Sequence, residues 1–150
     1  MLIIKRMILQ FSFIKMKKFE ILEHVADGKF RAFGKTREEQ FSNAVSAVFS
    51  FMFEAKVSPK VEKEINITAK DEKALLYKWI EEFLYLLDAD SFLPAKVKEI
   101  KISKSKGVFT LNAVVLGDVS NKYKSIGSVK AVTYAEMELT KDFVQVVVDL

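Results

Sequence analysis

Cysteine is absent from the chain, histidine occurs once, and the 150 residues include only 2 prolines and 5 glycines. Each shortage closes off a class of chemistry. Without cysteine there is no disulfide framework, no thiolate nucleophile and no Cys/His zinc cage, so a metal held by these side chains must rest mainly on oxygen. Scarce glycine and proline exclude collagen-like repetition and low complexity. Neither the Walker pattern nor the dinucleotide fingerprint can be written onto the scattered glycines, which removes those nucleotide enzymes. A Gly-x-Ser-x-Gly elbow is missing too, so the lone His24 has no presented serine with which to build a hydrolase triad. Long apolar runs are also lacking. The opening MLIIKRMILQFSFIK is broken by Lys5, Arg6, Gln10 and Ser12, well short of the roughly 18 apolar residues a membrane span requires, and no small-residue cleavage site follows it.

What is present suits one globular domain: 50% hydrophobic and 29% charged residues, with 13 phenylalanines to fill a core. The net charge of +4 is concentrated at the front. Residues 1–18 hold five of the 24 Lys and Arg and no acid, so the other 132 residues carry 19 bases against 20 acids. A body without basic excess argues against RNA as a sole partner. The charge step, and the start of regular patterning at Lys17, lead to the expectation of a non-native or disordered leader over 1–15, a true start at Met16 and a single domain over 16–150. A cytoplasmic location follows from the missing cysteine and missing targeting segment.

Alternation predicts strands over Phe19–Leu22 and Lys29–Phe33, with His24 to Gly28 as the turn between them. Thr36 and Glu39 form a capping-box pair ahead of a helix whose apolar positions are Phe41, Ala44, Val45, Val48, Phe49 and Met52. Val61, Ile65 and Ile67 alternate with polar residues in a half-exposed strand. Asp71 then caps a second helix with a wide apolar face from Leu75 through Trp79 and Phe83 to Leu87. Beyond Asp90 the pattern predicts a hairpin of 96–103 and 108–116 around a turn at 104–107. Strands over 129–139 and 143–148, joined at Thr140-Lys141, complete the chain. The expected class is α+β, one sheet with two main helices on one face.

The candidate chemistry is sparse. His24 and Asp27 in one turn could place an imidazole beside a carboxylate, which would orient the ring or bind a cation. Read alone, however, an Asp before Gly28 is more simply a turn cap. Asp149, after a very apolar strand, reads equally well as a solvated end.

Taken together, His24-Val25-Ala26-Asp27, Phe33-Gly34-Lys35-Thr36 with Glu38-Glu39, the Leu75-to-Leu86 helix, Lys130-Ala131-Val132-Thr133-Tyr134 and the closing Asp149-Leu150 occur in an order and spacing that resemble the archease family. The resemblance runs from about Lys17 to Leu150. It implies a strand-helix-strand-strand unit carrying a second such unit as an insertion. It also implies an accessory factor or chaperone, not an enzyme, that activates an RtcB-type RNA-splicing ligase by promoting its guanylylation and turnover and broadening its nucleotide use. tRNA would be reached through the ligase, and no membrane is involved. The implied metal ligands are Asp27, Asp149 and Leu150, with Ca²⁺ the favoured divalent cation, and two carboxylates plus a terminal or main-chain oxygen are hard donors suited to it. His24 and Lys130 are supporting positions, Lys130 as a polar contact to nucleotide or partner. Ala135 stands where the family often has His. The competing reading is a small-ligand or RNA-binding module of similar fold that uses the open face of the sheet.

Overall fold

The computed structural model describes residues 17–24 and 26–150, so the expected leader lies outside the described residues. Among these, the elements run β1 (Phe19–Leu22), β2 (Gly28–Phe33), α1 (Arg37–Ser50), β3 (Val61–Ala69), α2 (Glu72–Asp90), β4 (Phe92–Ser105), β5 (Val108–Val119), β6 (Ala131–Val132), β7 (Glu138–Leu139) and β8 (Phe143–Asp149). They form two antiparallel sheets, not the one sheet expected. The first has the order β1-β2-β8-β6, with β7 also on β8, and the second has the order β3-β5-β4. The reason is topological. The segment β3-α2-β4-β5 is a strand-helix-strand-strand unit whose strands satisfy one another's backbone groups. It sits as an insertion between α1 and the strands that complete the first sheet.

Local chemistry sets the helix starts. Thr36 Oγ1 accepts from the Glu39 amide at 3.1 Å, while the Glu39 carboxylate accepts from the Lys35 amide at 3.1 Å, one residue further out than in the usual reciprocal box. Asp71 Oδ1 accepts from the Ala74 amide at 2.8 Å to start α2. Helix α2 ends at Ser91, which has φ 53°, and β4 begins at the next residue, so this strand starts before the expected Lys96. The hairpin turn is also tighter than expected. Ser105 pairs with Val108, leaving Lys106 and Gly107, at φ 51° and 78°, as a two-residue turn with both central residues left-handed.

The expected strand over 129–139 is broken. Its ends survive as β6 and β7, both paired with β8, and residues 133–137 loop out between them. Thr133 diverts the backbone there: its hydroxyl donates to the Val147 carbonyl at 2.8 Å and accepts from the Ala135 amide at 3.2 Å. Glu136 then turns the chain back with φ 51°.

Both helices contact both sheets, and one hydrophobic core joins them. Trp79 is fully buried at its centre. The indole Nε1 donates to the Phe41 carbonyl at 2.9 Å, and its ring meets Phe83 edge-on at 4.6 Å between centroids. Phe30 and Val146 reach this core from the first sheet, Leu111 and Val115 from the second. Where β5 leaves the inserted unit, buried Asp118 accepts from the Val119 amide, the Tyr123 hydroxyl and the Lys122 ammonium. The backbone and tyrosine bonds, followed by the lysine, hold its carboxyl at a pKa of about 2.

Candidate functional site

Strand β8 is the axis on which the candidate residues meet. On one side Gly28 pairs with Val148, and on the other Ala131 pairs with Asp149. Asp27 therefore leaves β2 at the end of the sheet where Asp149 closes β8, and Lys130 enters β6 there, its amide donating to the Asp149 carbonyl at 2.8 Å. Asp149, Leu150 and Lys130 are exposed and Asp27 is half-buried. Gly28 makes this approach possible. A Cβ on it would lie 2.9 Å from the Phe51 ring and 3.0 Å from Val148 Cγ2, so a larger residue would have to displace those side chains or β2 itself beside Asp27. An open cleft of about 590 Å³ adjoins this rim, lined by Ile21, Leu22, Glu23, His24, Asp27, Gly28 and Phe51.

His24 is held from the loop between β6 and β7. Its Nε2 lies 2.6 Å from Glu136 Oε2, while Glu136 Oε1 accepts from Lys29 Nζ at 3.3 Å. A carboxylate only accepts, so Nε2 is the donor in this bond. These bonds, that to His24 foremost, lower the pKa of Glu136. The other ring nitrogen, Nδ1, is buried without a hydrogen-bond partner and stands 3.6 Å from Asp27 Oδ2. The loop is anchored from below as well. The Glu136 carbonyl accepts from Nε2 of buried Gln145 at 2.8 Å, and Gln145 Oε1 accepts from Arg31 at 2.9 Å. Lys29, next but one to Asp27 in sequence, is thereby turned to Glu136.

The structure thus brings Asp27, Asp149, Leu150 and Lys130 to one rim and places His24 against Asp27. Among the described residues no three His, Cys, Asp or Glu side chains gather as a metal cage. The donor set that does arrive, two carboxylates with main-chain or terminal oxygen, suits a hard cation that keeps several waters, and it does not suit zinc. Glu136 is absent from the sequence reading because its partners are remote in the chain. The Tyr77–Tyr134 contact is equally unforeseen: the rings stack at 4.4 Å with 9° between planes, tying the loop to α2.

Over residues 19–150 the sequence matches the model of the Archease protein family (MTH1598/TM1083). The chain belongs to the archease family. It is 38% identical over 144 residues to the protein archease of Methanosarcina barkeri, covering 89% of this chain and 97% of the relative. The protein archease of Pyrobaculum neutrophilum is 38% identical over 136 residues, with 85% and 92% covered. The solution structure of Methanobacterium thermoautotrophicum protein 1598 superposes with a TM-score of 0.75 at 30% identity, covering 90% of this chain and 100% of that one. The inserted strand-helix-strand-strand unit lies within the residues that the family model matches. No helix among the described residues of this family member is long and apolar enough to cross a membrane.

Proposed function

We propose that the protein is a cytoplasmic accessory factor of an RtcB-type RNA-splicing ligase and promotes the ligase's guanylylation and turnover, without itself being an enzyme. The observation that carries this reading is the arrival of Asp27, Asp149 and Lys130, from three separate strand ends, at one exposed rim in a member of the archease family. Asp27, Asp149 and an oxygen of Leu150 would hold a divalent cation, Ca²⁺ favoured. When bound, it supplies positive charge to phosphate or carboxylate oxygens of the partner. The chain's own residues shape that surface. His24, fixed by Glu136, stands with Nδ1 3.6 Å from Asp27 Oδ2 and walls that side of the rim. Lys130 offers an exposed ammonium at the same rim for nucleotide or protein phosphate. tRNA enters through the ligase, in keeping with the near-neutral charge of the body.

The test is guanylylation of the purified ligase with and without this chain. Faster guanylylation and multiple turnover are the expected outcome. Unaltered ligase kinetics, together with a thermal shift of this protein on adding a small ligand or RNA, would overturn the reading in favour of a binding module.

A further inference from the structure

The solvent face of α2 carries exposed side chains that the Asp27 rim does not use. Glu81, Tyr85 and Asp88 follow one another at intervals of four and three and so share one exposed stripe of the helix, opposite the side that buries Trp79 and Phe83, while Tyr77 and Leu84 lie partly buried against the core at its edge. Tyr85 is 61% exposed, and Tyr134, stacked on Tyr77, is 53% exposed, although both are large side chains on an otherwise well-packed protein. Stacking covers one face of the Tyr134 ring with Tyr77 and leaves the ring's remaining surface to solvent. The left-handed Glu136 and the Glu136–His24 bond fix the loop that presents it. The ring is therefore a preorganised platform with little side-chain freedom left to lose.

Its surroundings are acidic. Neither Glu81 nor Asp88 takes part in an ion pair among the described residues. Glu81 lies one turn along α2 from Tyr77, on whose ring Tyr134 stacks, so its carboxylate belongs to the helix face that carries the ring. Lys78, on the flank of the stripe, is turned away to the Thr68 carbonyl at 2.8 Å. Lys73 stands one turn before Tyr77.

An aromatic face beside unpaired carboxylates suits a guanidinium, which stacks on the ring while its edge meets the acids. The same carboxylates repel a phosphate backbone, so a nucleic-acid base is the poorer occupant. We propose that the α2 stripe with Tyr134 is a docking surface for an arginine-bearing patch of a protein partner. Resting on the functional reading above, that partner is the ligase, since an enzyme that handles RNA presents cationic side chains at its surface. The surface would hold the two proteins together, while the Asp27 rim acts on the ligase.

Binding of the full chain to the purified ligase, measured by calorimetry, tests this. Tyr134→Ala, Tyr85→Ala and Glu81→Lys should each weaken binding about tenfold, more steeply at low salt for Glu81→Lys. Tyr134→Phe, which keeps the ring, should bind like the wild type. Asp27→Asn should still bind while losing activation. Because Tyr85 and Glu81 are exposed, their variants remain folded and informative even if Tyr134→Ala loosens its loop. Variants that bind as tightly as the wild type overturn the docking surface and leave the ligase reading standing. A wild type that neither binds nor stimulates the ligase overturns both. Binding of single-stranded RNA that Tyr134→Ala abolishes, with ligase binding unchanged, overturns the arginine assignment in favour of base stacking.

Discussion

Gly28 lies directly across from Val148 in the antiparallel pairing of β2 with β8. Moving one step outward along both strands leads to Asp27 and Asp149, so two acids from near opposite ends of the chain leave the sheet side by side. Two carboxylates so placed repel unless a cation lies between them. This proximity is the observation on which the proposed cation site rests.

A Ca²⁺ titration should therefore stabilise the protein, by about 2.7 kcal/mol at a hundredfold excess over Kd. Asp27→Asn and Asp149→Asn should each remove most of that gain, read by thermal denaturation, and lower ligase activation with it. Lys130→Ala should lower activation while leaving the cation-dependent shift in place. A wild type that shows no shift with Ca²⁺, Mg²⁺ or Mn²⁺ would return both acids to capping and solvated roles.

Gly28→Ala should destabilise the protein by roughly 1–3 kcal/mol, the range for inserting a carbon into a packed site. The new Cβ meets the Phe51 ring and Val148, and relieving that contact displaces those side chains or β2 itself beside Asp27. Any Ca²⁺ affinity should fall as well. By contrast, Gly34→Ala meets the α1 backbone, away from Asp27, and should affect stability alone. Equal effects of the two substitutions on Ca²⁺ affinity would sink the idea that Gly28 shapes the rim.

Trp79→Ala should cost about 3–5 kcal/mol in chemical denaturation, through the cavity and the lost bond to the Phe41 carbonyl. A loss below about 1 kcal/mol, the scale of surface changes, would contradict its place at the core centre.

Acid should weaken the fold through Asp118 and Glu136. Both have depressed pKa values, so each contributes stability that is complete above its ordinary pKa and is lost as pH falls through the folded value. For Asp118 the window runs from 3.8 down to about 2, and for Glu136 it begins below 4.5. Asp118→Asn and Glu136→Gln should each flatten the fall of Tm with pH in that range. A variant with an unchanged slope would show that its carboxylate does not contribute.

The period of apolar residues alone determined that Phe41 to Phe49 and Leu75 to Leu86 are helices with one buried face, and Thr36 and Asp71 marked where they begin. These signals are local, arising within a few residues from backbone geometry and capping. The motifs that hold Asp27, Lys130 and Asp149 helped carry the family resemblance, and read alone Asp27 was a turn cap and Asp149 a solvated end; the pairing of β8 with both β2 and β6 is what brings the three to one rim. Only the tertiary structure decided that there are two sheets, that the 129–139 segment loops out at Thr133, and that Glu136 reaches His24. Such contacts depend on which strands exchange hydrogen bonds across the whole fold. Residues like Glu136 and Tyr134, whose partners lie far away in the chain, have no periodic signature to announce them.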